Sequence, residues 1–360
     1  MTTIEAPPPE LDMARVEAFG ADLLSTMNRS FTALMISVGH RSGLFDTLAG
    51  LPPSTSAEVA AAAGLNERYV REWLASMTVA RIVDHDPSAA TFKLPTEHAM
   101  FLTRAAGPDN LAYLAQYVAE LGRVEDGIVD CFKNGGGLSY AEFPNFQVLQ
   151  RGETAAVYDA SLLQRTLPAV PGIVAALERG IDVADIGCGA GHAINIMARA
   201  FPRSRFTGFD FSEEAIALAT AEAAEWGLTN AAFVQADVAT LDRPASFDLV
   251  TAFDSIHDQV APRNVLANIR KALRPGGTFL MADIAGSSNL EENLDHPLAQ
   301  AFYAVSTFHC MTVSLSAGGE GLGTMWGEQK ARDYLATAGF TVTDALHIEG
   351  DISNVYFICR

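Results

Sequence analysis

The hydrophobic period of this chain changes once along its length. In the first third, apolar residues recur at helical spacing from Leu11 onward, with Leu23, Leu24, Met27, Phe31, Leu34, Met35 and Val38 on one stripe. Such a stripe buries against its own domain or against a second subunit, and the pattern alone does not choose. Between Gly43 and Leu94 the segments are shorter. Leu44, Phe45 and Leu48 end a helix, and Pro52-Pro53 breaks it. Thr55 and Glu58 have capping-box spacing ahead of an apolar run at 59–63, which Gly64 stops. Asn66 caps a further helix that carries Tyr69, Val70, Trp73, Leu74 and Met77 on one face. Extended pieces at 81–83 and 91–94 follow, giving the element order of a winged helix-turn-helix.

From about residue 165 the period shortens. Short apolar runs of strand character alternate with helical patterns, which predicts a parallel sheet covered on both faces. Strands are expected at 181–186, 204–210, 230–236, 247–253, 278–284, 340–343 and 355–358. The intervening residues 107–164 read as a helical connector. It holds an amphipathic helix through Leu111 and Leu121, a glycine run at 135–137 expected to be a flexible loop, and a helix over 149–167. The chain is therefore divided into 1–106, 107–164 and 165–360. Residues 289–327 interrupt the sheet order with aromatics and then five glycines between Gly318 and Gly327, the pattern of a cover over a pocket or of a helical packing element with a mobile tip.

Composition narrows the partners. The formal net charge is −19 over 360 residues, which repels phosphate backbones and anionic membranes. Residues 1–100 hold 7 Lys/Arg against 12 Asp/Glu, so the winged helix lacks the basic patch of a DNA reader. No apolar run reaches the ~18 residues that span a bilayer. Residues 1–10, with three prolines and two acids, look disordered and unlike a signal peptide. Cys131, Cys188, Cys310 and Cys359 are scattered, which fits reduced thiols in the cytoplasm. His309 and Cys310 are adjacent, a poor metal spacing, and no metal site is expected.

The chemistry centres on Val183-Ala184-Asp185-Ile186-Gly187-Cys188-Gly189-Ala190-Gly191-His192. A strand, a glycine turn that exposes backbone N–H groups, and a helix N-terminus form a cradle for a small polar ligand. The dinucleotide fingerprint needs its third glycine where His192 stands, and here that glycine comes one residue early, at Gly191. Asp210 lies 19 residues beyond Gly191 at the end of the next strand, near the spacing at which an acid grips ribose hydroxyls.

This acid-x-Gly-x-Gly-x-Gly turn resembles motif I of the class I S-adenosylmethionine-dependent methyltransferases. Asp210, Asp237 and the Arg274-Pro275-Gly276-Gly277 turn extend the resemblance over about residues 165–360. The first hundred residues resemble, more loosely, the dimerisation domain of small-molecule O-methyltransferases, and the whole is similar to actinobacterial-type methyltransferases with such a domain. The resemblance implies an α/β fold: a Rossmann-like seven-stranded sheet, its last strand antiparallel, behind a mainly helical winged-helix domain. It implies S-adenosyl-L-methionine as cofactor, with Asp185, Gly187, Gly189 and Gly191 under the methionine part and Asp210 and Phe211 at the ribose. Asp237 and Val238 would flank the adenine, and Phe253 would end strand four. Ser255-Ile256-His257-Asp258 resembles the segment that carries the general base, His257, although Gln259 replaces the usual aromatic residue. Asp283 would orient His257, and Asp258 reads as a helix N-terminal acid. Tyr140, Phe143, Phe302, Phe308, Met311 and Trp326 are the candidate acceptor wall. The expected protein is a homodimer that methylates a small, partly apolar acceptor, on oxygen or else on nitrogen or carbon. A winged-helix regulator that senses the cofactor and a nucleotide-dependent oxidoreductase are the rival readings.

Overall fold

The structure, a computed structural model, describes residues 11–349 and 351–360. The disorder expected of residues 1–10 lies outside them. The chain forms two compact units, divided between Ala119 and Glu120.

The first unit begins with α1 (Met13–Ser42), capped by the Asp12 carboxylate on the N–H groups of Ala14 and Arg15 and ended by Gly43 at φ 75°. Thirty residues make a rod of about 45 Å. Only its C-terminal turns join the core. There Trp73 donates its indole N–H to the Met35 carbonyl at 2.8 Å, and a Cβ added to Gly39 would come within 2.5 Å of the Trp73 ring. Further up, Val16, Phe19, Leu24 and Phe31 of α1 are exposed.

Helices α2 (Leu44–Gly50), α3 (Ser56–Ala63) and α4 (Glu67–Val79) complete the bundle. The Thr55–Glu58 capping box and the Asn66 cap form as their spacing predicts, and Val70, Trp73, Leu74 and Met77 are buried. The ribbon pairs β1 (Asp84–Asp86) with β2 (Thr91–Lys93). Its first strand therefore starts three residues later than expected. The N–H groups of Ile82 and Val83 both reach back to the Met77 carbonyl, so 81–83 close α4, and Val83 is core rather than wing.

The second unit is built on β3 (Asp182–Ile186), β4 (Arg205–Asp210), β5 (Ala231–Gln235), β6 (Phe247–Phe253), β7 (Leu273–Ile284), β8 (Val342–Leu346) and β9 (Asn354–Cys359). Their order across the sheet is β5-β4-β3-β6-β7-β9-β8, with β9 antiparallel to both neighbours. The order reverses at β3, so the crevice of an open α/β sheet lies at its carboxyl end. Side chains alternate between two cores. Ala184, Val250, Phe279, Met281 and Phe357 pack on one face, and Val183, Leu249, Leu280, Ala282 and Tyr356 on the other.

Two stretches are more tightly held than expected. The glycine run at 135–137 is a loop, but its last residue is pinned. A Cβ on Gly137 would lie 2.0 Å from the Thr312 carbonyl oxygen, and the Leu138 N–H bonds to Thr312 Oγ1 at 2.9 Å. Backbone presses on backbone there, and only glycine permits it. Residues 299–316 are continuously helical, with a π-helical segment at Ser306–Cys310. The glycines after it are tied down through Glu320, whose N–H bonds the Val260 carbonyl and whose carboxylate accepts from the Tyr334 hydroxyl at 2.6 Å. Among the described residues no single helix is long and apolar enough to cross a membrane.

Candidate active site

The chain leaves β3 at Ile186 and turns through Gly187, Gly189 and Gly191, at φ 68°, 51° and 72°, into the helix His192–Ala200. All three adopt a conformation that favours glycine, but their surroundings differ. A Cβ on Gly187 would lie 2.5 Å from Ser255 Cβ, and one on Gly191 2.5 Å from both Ala219 Cβ and Phe233 Cε1. A Cβ on Gly189 would meet nothing within 4 Å. Two of the glycines serve the protein's own packing, and Gly189 alone leaves room for a ligand against the backbone.

Acids line this turn. Asp210 ends β4, accepting the Gly189 N–H on Oδ2 and the Ser212 N–H on Oδ1, each at 2.9 Å. Burial raises its pKa, and those backbone donors counter the rise. Asp185 is buried and accepts from the Thr251 hydroxyl at 2.6 Å. Burial pushes its pKa up to about 7 against that bond, and Asp210 adds to the rise. Asp237 caps the turn Val238–Thr240 by accepting the Ala239 N–H and is exposed. The side chain of Val238 is in the core, and its carbonyl accepts from Asn268. Phe211 is half-exposed with its ring 5.1 Å from that of Tyr140, and Phe253 packs on Tyr158 at 4.9 Å.

These residues fit a ligand that carries a diol and a positive charge. Asp210 retains lone-pair capacity for two hydroxyls, Gly189 opens the backbone, and buried carboxylates beside the turn favour a cation. They suit a pyrophosphate poorly. Moreover, the helix N-terminus that would cradle phosphate begins at His192, whose ring is held by Glu222 at 3.0 Å and Asp159 at 3.2 Å.

Beyond the carboxyl end of β6, His257 is buried, with Nδ1 2.8 Å from Asp283 Oδ1. The same oxygen accepts the Trp326 indole N–H at 2.9 Å and the Ile284 N–H at 2.8 Å. Trp326 thus stands in the core behind Asp283 and fixes it there. On the other side, His257 Nε2 lies 3.2 Å from Asp258 Oδ1 without hydrogen-bond geometry. Burial works to lower the imidazole pKa, but Asp283 and Asp258 overcome it and hold it well above the ordinary value. Asp258 is not a helix N-terminal acid, because the next helix, Pro262–Ala272, starts four residues on with no acid in its first turn. Its Oδ2 accepts from the Tyr140 hydroxyl at 3.3 Å.

Tyr140 joins the two halves of the site, touching Phe211 on one side and Asp258 on the other. Phe143 lies 4.8 Å from the His309 ring, and Phe146 stacks on it. Phe308 and Met311 are half-buried on the same helical stretch, while Phe302 sits farther along beside His296. His309 is fully buried, both ring nitrogens lack a partner, and burial pushes its pKa down to about 4.

Three participants were given no role from the sequence. Asp254, at φ 51°, bonds Asn354 through Oδ2 at 2.9 Å and has its pKa raised well above the usual range by burial and Asp283. Tyr158 is buried, and burial together with Tyr356, Asp254 and Asp351 raises its pKa well above the ordinary value. Cys310 stands against His257 and Asp258. The first of these had a signal, since it adjoins Ser255-Ile256-His257; the others meet the site only through tertiary packing.

With this geometry in place, comparison with known proteins gives two matches. Residues 30–104 match the Rv2258c-like winged HTH domain, and residues 177–339 match a methyltransferase domain. The second unit holds a methyltransferase domain. Over 147 residues the chain is 29% identical to trans-aconitate 2-methyltransferase of Acidovorax ebreus (strain TPSY), a stretch covering 40% of this chain and 52% of that protein. The matched stretches span about half or less of these curated relatives. The fold is similar to that of mitomycin 7-O-methyltransferase, with TM-score 0.70, 20% identity, and 97% of this chain and 99% of that one covered. It is also similar to human N-acetylserotonin methyltransferase in complex with SAM, with TM-score 0.69, 17% identity and 99% of each chain covered.

Two outcomes are expected. Gly191→Ala loses ~3 kcal/mol or more of stability, because a strained φ is added to an internal clash. Gly189→Ala loses only ~1–2 kcal/mol, yet weakens binding of S-adenosylhomocysteine at least ~10-fold; denaturation and calorimetric titration of both variants check this. Asp185, with its pKa raised to about 7, stays protonated on folding while the unfolded chain ionises near 4, so stability falls as pH rises from about 4 to 7. The loss is up to ~4 kcal/mol. Asp185→Asn removes that slope, so denaturant midpoints at pH 5 and pH 8 differ less in the variant.

Proposed function

We propose that this chain is an S-adenosylmethionine-dependent methyltransferase that acts on the oxygen of a small, partly apolar acceptor, with His257 as general base. The observation that carries this reading is the 2.8 Å bond from His257 Nδ1 to Asp283 Oδ1. It fixes the tautomer and leaves Nε2 to face Asp258, which also accepts from Tyr140.

When bound, the cofactor supplies a methyl group on a positively charged sulfur, displaced in line with a neutral thioether as leaving group. The chain's own residues position and activate. Gly189 lets the backbone approach the methionine part beside Asp185, and Asp210 accepts the ribose hydroxyls. Asp237 and Val238 would border the adenine, with Phe211 beside the ribose and Phe253 at the strand end. Tyr140, Phe143, Phe308 and Met311, with Phe302 and Trp326 at greater remove, enclose an apolar body and exclude water. His257 takes the acceptor's proton through Nε2, and Asp283 stabilises the imidazolium that forms. Acceptor entry displaces the contact with Asp258, whose other oxygen is steadied by Tyr140.

A second reading draws on the protonated state that Asp283 and Asp258 favour in His257. Methyl transfer to nitrogen or carbon needs no base there, and the imidazolium would then only hold the two acids apart. A DNA-binding role is less well supported. Arg68 and Arg71 of α4 pair with Glu72 and Glu67, and the wing strand carries Asp84 and Asp86 toward solvent.

We assign the winged-helix unit to homodimer assembly through α1. Leu11, Val16, Phe19, Leu23, Leu24, Met27, Phe31, Leu34 and Val38 are exposed along it, an area on the order of the ~800 Å² per partner that a stable dimer buries. A second copy of the same helix matches that long apolar stripe. The four free cysteines support a reducing compartment such as the cytoplasm.

The acceptor is sought by mass spectrometry of ligand co-purified with the protein. With it in hand, His257→Ala lowers turnover ~10²-fold or more while leaving S-adenosylhomocysteine binding intact; unchanged turnover decides for the nitrogen or carbon reading. Tighter binding of NAD than of S-adenosylhomocysteine would overturn both. In sedimentation, the double variant Leu24→Glu/Phe31→Asp runs as a monomer and the parent chain as a dimer; a monomeric parent sinks the assembly role.

A further inference from the structure

We propose that His257, Asp258 and Cys310 form a site for one thiophilic divalent cation of the zinc class. Imidazole nitrogen, carboxylate oxygen and cysteine sulfur are the donor set that zinc takes. One donor atom from each residue lies within 4.8 Å of the other two. The three come from two places more than fifty residues apart, the segment after β6 and the π-helical segment Ser306–Cys310. That is why the adjacency of His309 and Cys310 says nothing about this site.

Three features separate it from a chance cluster of polar side chains. First, His257 Nε2 and Asp258 Oδ1 stand 3.2 Å apart without hydrogen-bond alignment, and the buried Asp258 Oδ1 accepts no hydrogen bond of good geometry among the described residues. Two ligands each ~2.0–2.1 Å from a tetrahedral zinc are ~3.3 Å apart, close to that separation. Second, the remaining atom of each group is already held. Asp283 takes His257 Nδ1 and Tyr140 takes Asp258 Oδ2. A carboxylate on the far nitrogen is the support that metal-ligating histidines use. Asp283 is itself fixed by the Trp326 and Ile284 N–H groups, so the imidazole cannot swing away. Third, the sulfur is on a π-helical segment, an irregularity that recurs at functional sites. Cys310 is buried at the bottom of the cluster, shielded from bulk solvent.

Three protein donors leave a fourth tetrahedral position. On binding, the cation replaces the proton of Nε2 and that of the Cys310 thiol, both of which pass to solvent, and no oxidation or reduction occurs. A cation and a proton exclude each other at Nε2. Given the base role proposed above, an occupied site has no free base, and the metal acts as a brake on transfer.

The full chain, dialysed against chelator, is titrated with cobalt(II) and separately with zinc(II). One cobalt per chain is expected by elemental analysis, with the visible bands of a tetrahedral ion and a thiolate-to-cobalt charge-transfer band. Cys310→Ala loses the charge-transfer band. Asp258→Asn and His257→Ala each weaken uptake ~10-fold or more, and zinc displaces the cobalt. Circular dichroism and S-adenosylhomocysteine titration confirm that the variants are folded. The site is overturned if folded parent chain takes up no stoichiometric cobalt, or if Cys310→Ala keeps the same spectrum. These readouts need no acceptor, so a failure of the base reading, seen as full turnover in His257→Ala, leaves them unaffected.

Discussion

A carboxylate removed from water must be compensated, and one edge of this sheet removes several of them. Asp185, Asp210, Asp254, Asp258 and Asp283 all stand at or just past the carboxyl ends of β3, β4, β6 and β7. Each is accommodated differently. Asp185 is held near neutrality by a proton that burial favours, against the Thr251 hydroxyl it accepts from. Asp210 accepts backbone N–H groups from the turn it faces. Asp254 rests on Asn354 and on its own raised pKa. Asp258 and Asp283 share one imidazole between them. The result is an edge short of positive charge. A ligand that brings a sulfonium and an ammonium supplies what the fold withholds, whereas a polyphosphate adds to the deficit.

That arrangement explains how far the sequence could be read. Period and caps are local, so the strand order, the Thr55–Glu58 box and the alternating core of the sheet were legible. The glycine turn was legible too, but its internal division was not. Nothing in the spacing tells that Gly187 is pressed by Ser255 and Gly191 by Phe233, because those partners arrive from other strands. The same limit applies to Gly137, which lies in the loop its neighbours predict but is pinned by the Thr312 carbonyl, distant in sequence. Asp258 was misread for a local reason, since the helix that follows starts four residues on. The wing strand was misplaced for a local reason, since Ile82 and Val83 finish a helix rather than begin a ribbon.

The residues proposed for the acceptor and those proposed for the cofactor are not independent shells. Tyr140 contacts Phe211 beside the glycine turn and reaches Asp258 beside His257. The short segment that carries it is anchored from below, where Leu138 bonds Thr312. A shift at either end is therefore passed to the other through one phenol ring.

The π-helical segment at Ser306–Cys310 holds one residue more per turn than the helix on either side of it. Such a segment behaves like an insertion that the helix absorbed without breaking. Deleting a single residue there would let the winding relax to the ordinary pitch and leave the flanking turns nearly in register, because about five residues of π winding turn the chain as far as four of α winding. Only the side chains of the segment itself, His309 and Cys310 among them, would be re-dealt in one genetic step, while the sheet and its glycine turn stayed as they are. A scaffold with that kind of dial can change what it accepts far more readily than what it does.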